Sequence, residues 1–435
     1  MYKMQKDNRC KLRKNLPMFV LALVCVAVLG MSIVVCAPSV VLAAGPPIKI
    51  GQLTALSGAG ASQGIQAAEG VKIAIEELNA KGGVLGRKFE HIVLDDKANA
   101  EQASRQVKTL VLDKKVDFIV GLGGNTGSAN VESAYIKDAK VLGIIFNPCT
   151  PSTMEERGHR YVFRMGHDNR AIARTLATAV AKVWNKPKRI YGLNQDYEFG
   201  HSFWAEFTTA YKKYVPDMEI VGEAWPPFPC QEYSSYLSAI MAKKPDVVVD
   251  SMWGTDGLAL IKQCIAYGIY KKLYWAGWSV GDIASVGAIK DEASAPVGAL
   301  GNYSWPYWAL DNPMSNRLYK QLYERLNTVP CHPAANGYAA MYAVARAIEE
   351  AGKVDTEAVI DKLEGMVCET PVGPVLLRAC DHQSMWPEWG GVIGFEEGWD
   401  FPHELNPVTV ENPSDNYSTC EESLARRKAY RESKK

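Results

Sequence analysis

From Ile48 onward, short runs of β-branched and other apolar residues alternate with longer stretches in which apolar positions recur every three or four residues. Ile48 to Leu53 predicts a strand, Gly64 to Ala80 an amphipathic helix, and Glu90 to Asp95 a second strand. A helix from Ala100 to Asp113, a strand from Val116 to Gly121, a helix near Asn130 to Lys140 and a strand from Leu142 to Asn147 continue the series. Strands separated by helices predict a parallel sheet covered on both faces, an α/β arrangement.

After Phe163-Arg164-Met165-Gly166 the pattern starts again. Helices over 169–184, 199–214, 234–243 and 255–267 are interleaved with strands over 189–194, 219–225, 246–251 and 272–276. Two doubly wound lobes in series are the natural outcome, with Met165 to His167 as a first crossing between them. Three further helices, Asn316 to Leu326, Pro333 to Ala351 and Thr356 to Glu364, precede an extended stretch from Thr370 to Leu377. From about residue 405 the apolar period is lost, so 406–435 predicts a polar C-terminal tail that frays.

The first forty-four residues do not belong to this pattern. Lys3, Lys6, Arg9, Lys11, Arg13 and Lys14 form a basic head, Phe19 to Cys36 is almost wholly apolar, and Val41-Leu42-Ala43-Ala44 offers small residues at cleavage spacing. Residues 1–44 therefore predict a signal peptide and a periplasmic location. The apolar run is also long enough to act as a retained membrane anchor. Cys36 follows Val34-Val35 rather than a small residue, which argues against lipidation.

The remaining chain, about 390 residues, exceeds what one hydrophobic core normally serves and agrees with two lobes. A net charge of zero gives no nucleic-acid footprint. Seven cysteines lie beyond the signal, an odd number, so at least one thiol is unpaired within the chain. Cys368 and Cys380 are placed to close a hairpin around Thr370 to Pro374, although spacing alone does not fix connectivity. No CxxC pair and no histidine cluster has metal-ligand spacing, so neither a metal nor a cofactor is expected.

Two loops carry candidate chemistry. Gly121-Leu122-Gly123-Gly124-Asn125-Thr126-Gly127-Ser128 follows a strand and opens a helix, where free backbone N–H groups favour an anion and the Thr126 and Ser128 hydroxyls can add to them. A dinucleotide fingerprint is the rival reading, but the loop follows the third strand and lacks GxGxxG spacing. A glycine-rich turn without a ligand is the simpler alternative. The second loop, Asn147-Pro148-Cys149-Thr150-Pro151-Ser152, places Thr150 to serve the same anion. Cys149 has no base or orienting acid at a telling distance, so nucleophilic catalysis is not indicated.

Aromatic residues crowd the predicted strand ends of the second lobe: Tyr197 and Phe199, Trp253, then Trp275 and Trp278. Ligands of open α/β sheets bind beyond the carboxyl ends of strands, so these rings are placed to wall a cleft facing the first lobe. For any single tryptophan, packing is an equally good account.

The opening IKIGQLTALSGAGASQGIQAAEGVKIAIEELNAKGGVLGRKFEHIVLDD, the loop IVGLGGNTGSA and the later NGYAAMYAVARAIEEAG resemble the leucine/isoleucine/valine-type solute-binding proteins of ABC importers. The likeness runs from about Ile48 to Val375. It implies a type I periplasmic binding fold, with lobe 1 over 45–165 and 304–370, lobe 2 over 166–303 and 371–405, and a three-crossing hinge. It also implies a small-molecule ligand, delivery to a membrane permease, and no catalysis. Carried over by position, the ligand carboxylate is held by Asn125 and Thr126 and by Pro148 and Thr150, aromatic contacts fall on Phe199 and Trp253, and Gln63 faces the cleft from the first helix.

The departure is Trp278. Amino-acid-binding members of the family have an acidic side chain near this position to pair with the ligand ammonium, and an unpaired cation in a closed cleft costs several kcal/mol. An aromatic or other apolar carboxylate is therefore the expected ligand. A quaternary ammonium acid held by cation–π contacts is the second option. Asp250, Asp256 or Asp282 restoring the charge would bring back an amino acid. A ligand-sensing receptor lobe with the same fold is the alternative role.

Overall fold

The structure is a computed structural model that describes residues 45–147, 149–408 and 413–434. The first lobe contains β1 (Ile48–Thr54), α1 (Ala61–Ala80), β2 (Phe89–Asp95), α2 (Ala100–Lys108), β3 (Phe118–Leu122), α3 (Thr126–Ala139), β4 (Gly143–Ile145) and β5 (Val162–Arg164). Its five strands run parallel in the order β2-β1-β3-β4-β5. Along β3 Phe118 and Val120 join one core cluster and Ile119 the cluster on the opposite face, until a register shift after Val120 turns Leu122 to the side of Ile119.

The second lobe continues with α4 (Asn169–Val183), β6 (Arg189–Leu193), α5 (Glu198–Tyr214), β7 (Glu219–Ala224), α6 (Ser234–Lys243), β8 (Val247–Asp250), α7 (Gly254–Ala266), β9 (Tyr274–Gly277), α8 (Trp278–Gly281), α9 (Ile283–Val286) and β10 (Leu300–Tyr303). The chain then returns to the first lobe as α10 (Pro313–Leu326), α11 (His332–Ala351), α12 (Thr356–Leu363) and the hairpin β11 (Val367–Thr370) and β12 (Gly373–Leu376). It ends with β13 (Trp389–Gly394), β14 (His403–Val408) and α13 (Cys420–Ser433). The second sheet has the order β14-β13-β10-β9-β8-β6-β7, in which only β13 runs opposite to the rest, pairing antiparallel with both β10 and β14.

Asn or Asp side chains cap several of the helices that follow strands and crossings. Asn125 accepts from Ser128 N, Asp168 from Ala171 N and Asp355 from Ala358 N, each satisfying an orphan donor of the first turn. Three crossings join the lobes: 165–168, 304–312 and 377–388. They are laced together, with Ser384 N donating to Arg164 O, Gln383 Nε2 to Gly166 O, and Trp386 Nε1 to Ser304 O. Both strands of the β11–β12 hairpin contribute to the first-lobe core through Cys368 and Val375, so residues 371–376 pack there rather than with lobe 2.

The largest difference from the sequence pattern is the tail. Residues 413–434 form a 3-10 turn and then α13, whose start carries a capping box between Thr419 and Glu422. A disulfide joins Cys380, in the third crossing, to Cys420. Cys368 is free, so of the pairings the sequence left open Cys380 takes the one to the tail and not the hairpin bond to Cys368. The tail lies against both lobes: Asn416 donates to Thr175 on α4, whereas Arg427 donates to the carbonyls of Met154 and Glu155 in the first lobe. Beyond residues 409–412, which lie outside the described residues, the chain thus makes a fourth link between the lobes. Residues 1–44, expected to form a signal peptide, also lie outside the described residues; among the others, no helix is long and apolar enough to cross a membrane.

Candidate functional site

Both sheets point the carboxyl ends of their parallel strands at one crevice, which is almost filled by its own walls and leaves a cavity of only about 20 Å3. The first lobe contributes Gln63 from α1, Gly124, Asn125 and Thr126 from the β3–α3 turn, and Asn147, two residues beyond β4. The second contributes Tyr197 and Phe199 from the β6–α5 turn, Trp253 from the β8–α7 turn, and Trp278 at the start of α8.

On the first-lobe side the Asn125 side chain is fully engaged. Its Oδ1 caps α3 by accepting from Ser128 N at 2.8 Å, and its Nδ2 donates to Ala98 O at 2.6 Å. Gly123 must be glycine: its φ is +83°, and a Cβ would stand 2.5 Å from that of Ala129. Thr126 Oγ1 is buried beside the Cys149 thiol. The first backbone N–H groups of α3 lie beside it, where the helix dipole favours negative charge.

The second-lobe side is a wall of rings. Trp253 Nε1 donates to Tyr197 Oη at 3.0 Å, and Phe228 stacks between them with centroids 5.3 Å from Tyr197 and 5.2 Å from Trp253. Trp278 is held by His167 and His332, at 5.8 and 5.5 Å. After Trp253 the chain turns at Gly254, whose φ is +58° and whose hypothetical Cβ would meet Ala59 O at 2.5 Å. The two walls therefore touch here backbone to backbone.

The lobes also grip each other through side chains. Gln63 Nε2 donates to Asp282 Oδ1 at 3.0 Å. Glu198, opening α5, accepts from the hydroxyls of Thr150 at 2.7 Å and Ser152, and from Arg157 at 3.1 Å. Burial opposes ionisation of Glu198, but the hydrogen bonds from Ser152 and Thr150 and the Arg157 charge hold its carboxyl below the usual range.

Of the residues expected at the site, the fold brings Gln63, Asn125, Thr126, Phe199, Trp253 and Trp278 together around the crevice. Thr150 is instead turned toward Glu198, and Pro148 lies outside the described residues. Asn147, Tyr197 and Gly124 complete the lining. Tyr197 stands in the aromatic cluster visible in the sequence; Asn147 has only its position just past a strand adjoining β3 to recommend it.

Among the described residues, no carboxylate and no cationic side chain lines the crevice. Asp250 accepts from Trp275 Nε1 and Ser279 Oγ, both at 2.7 Å, and burial pushes its carboxyl up to about 6. Asp256 accepts from Cys230 N and Gln231 Nε2, and Asp282 from Gly254 N, Ser285 Oγ and Gln63. Burial raises both of these acids. Cys149 is buried and its thiol is pushed up to about 11 by desolvation, which leaves it protonated and a weak nucleophile at neutral pH. Among the described residues no group of His, Cys, Asp and Glu side chains is arranged to hold a metal ion.

The periplasmic binding protein family profile matches residues 47–388. The chain is 26% identical over 337 residues to the leucine-, isoleucine-, valine-, threonine- and alanine-binding protein of Pseudomonas aeruginosa, covering 76% of this chain and 85% of the relative. It is 22% identical over 357 residues to Leu/Ile/Val-binding protein homolog 4 of Brucella melitensis, covering 79% and 83%. The solute-binding protein of an ABC transporter from Rhodopseudomonas palustris BisB5, solved with 3,4-dihydroxybenzoic acid, superposes with a TM-score of 0.75 at 22% identity, covering 85% of this chain and 99% of that one. Its two doubly wound lobes have the type I periplasmic binding fold, and the chain belongs to the periplasmic binding protein family, among the leucine/isoleucine/valine-type solute-binding proteins of ABC transporters.

Proposed function

We propose that this solute-binding protein captures a small carboxylate with an aromatic or apolar body and presents it to the permease of an ABC importer. One observation carries the reading. The crevice joins the N-terminus of α3 and the unpaired Asn147 Oδ1 to a wall of four rings, and among the described residues its lining holds no charged side chain. The anion is taken by the α3 N-terminus with Thr126, and the body of the ligand lies against Phe199, Trp253 and Trp278, with Gln63 across the cleft. Asn125 serves by holding the turn in shape. Because the walls already touch, the lobes separate to admit the ligand and close over it. Residues 1–44 direct the protein to the periplasm as a cleavable signal.

The name of the Pseudomonas relative supports a second reading, an amino-acid ligand. Against it stands the lack of any carboxylate lining the crevice to pair with an ammonium. Titration of tryptophan fluorescence separates the two. Saturable quenching by benzoate or phenylacetate, without response to leucine, is expected, and Trp278→Glu should bring in leucine affinity. Tight binding of leucine by the unaltered protein would refute the proposal.

A further inference from the structure

The amide of Asn147 has a fixed orientation. Its Nδ2 donates to Gly123 O at 2.5 Å, and the flipped amide would set two carbonyl oxygens against each other. Asn147 Oδ1 is then an acceptor that cannot become a donor. It is buried, makes no hydrogen bond, and belongs to a side chain lining the crevice. The Thr126 hydroxyl, also buried, lines the same crevice. The two side chains follow the neighbouring parallel strands β3 and β4, so both flank the turn where a carboxylate is expected.

An unpaired acceptor beside an anion site has a definite chemical meaning. It repels the carboxylate oxygens and calls for an N–H or O–H on the ligand close to its carboxyl group. Among the described residues the lining carries no negative side chain, so an ammonium would enter without a counter-charge, whereas a hydroxyl enters neutral. We propose that the ligand is a 2-hydroxy carboxylic acid with an aromatic or apolar substituent, whose hydroxyl donates to Asn147 Oδ1 and exchanges a second hydrogen bond with Thr126 Oγ1. This rests on the reading of the crevice as an aromatic or apolar acid site and makes Asn147 its specificity-determining residue.

Titration calorimetry on the purified protein tests it with ligands matched but for one hydroxyl: mandelate against phenylacetate, and 3-phenyllactate against 3-phenylpropanoate. The hydroxy acid of each pair should bind tenfold tighter or more, because its analogue leaves a buried acceptor unpaired. Asn147→Ala should shrink that ratio severalfold, chiefly by weakening the hydroxy acids. If the variant fails to fold, the two ratios for the unaltered protein decide alone. Equal affinities within each pair, or phenylglycine binding more tightly than mandelate, would overturn the inference. If the plain acids bind and the hydroxyl brings nothing, the aromatic-acid reading survives and only the role of Asn147 falls. If no aromatic acid binds at all, both fall.

Discussion

The connection between β4 and β5 is held twice from outside, once by the carboxylate of Glu198 on α5 and once through its own Glu155, in opposite surroundings. Glu198 reaches Thr150, Ser152 and Arg157, and the side chains of Arg157 and Glu198 remain 35% and 38% exposed. A few residues on, Glu155 binds Arg170 on α4 and Arg426 on α13; the Glu155 and Arg170 side chains are 6% and 5% exposed. The first clasp exchanges readily with water and holds weakly. The second is buried, and breaking it strands a charge. A protein that must open near its crevice and stay whole elsewhere is served by that division, and substitutions can sharpen or break it.

The largest effect is expected at the link that presses α13 against the buried clasp. The Cys380–Cys420 disulfide closes a loop of 40 residues, a constraint on the unfolded chain of about 4 kcal/mol in the entropic limit. Urea unfolding of Cys420→Ser should show a loss approaching that value. A loss below about 1 kcal/mol would mean that α13 detaches on its own and contributes little to the fold.

Next in size is Glu155→Gln. Burial opposes the ionised form, but hydrogen bonds and charge from Arg170, with further bonds from Ser418 and Arg426, bring the carboxyl down to about 2 from an ordinary 4.5. A folded-state pKa below the unfolded one stabilises the protein fully above about pH 4.5, and the gain is lost as pH falls toward 2. The difference corresponds to roughly 3 kcal/mol. Denaturation midpoints at pH 7 should fall accordingly in the variant, and its stability should drop less steeply between pH 5 and 3 than that of the unaltered chain. Parallel acid profiles would contradict the assignment.

How much of this could be read from the chain depends on where each element gets its stability. The βα alternation was legible because strands buried on both faces must be written in residues such as Ile48, Ile50, Val247 and Val249. β13, Trp389-Gly-Gly-Val-Ile-Gly, carries three glycines and owes its strand form to pairing with β10 and β14. α13 is polar almost all round and is held by arginine contacts and a disulfide that no local pattern announces. The crevice divides in the same way. Rings at strand ends marked its aromatic wall in advance, whereas the turning of Thr150 toward Glu198 and the fixed amide of Asn147 depend on neighbours distant in sequence.

Moving from the clasps to the wall they bring together, Trp253→Ala removes the ring that hydrogen-bonds Tyr197 and stacks on Phe228. Loss of an aromatic contact of this kind costs about 1–3 kcal/mol. Affinity for whichever aromatic acid saturates the site should fall on the order of 10- to 100-fold. The acid sensitivity set by Glu155 should not change. A shift in both would show that the crevice and the buried clasp act as one unit.

The smallest effect is expected at the exposed clasp itself. Glu198→Gln keeps the hydrogen bonds from the Thr150 and Ser152 hydroxyls and removes the attraction to Arg157, a half-exposed pair worth no more than about 1 kcal/mol. Global stability should therefore change by less than the error of a single urea titration, while the balance between lobes together and lobes apart shifts toward separation. Small-angle scattering without added ligand should report a slightly larger radius of gyration for the variant at low salt. The difference should vanish at 1 M salt, where the Debye length of about 3 Å screens the pair in the unaltered protein as well. A loss of stability as large as that of Glu155→Gln would erase the distinction between the clasps, because it would mean that Glu198 is as permanently bound as its buried counterpart.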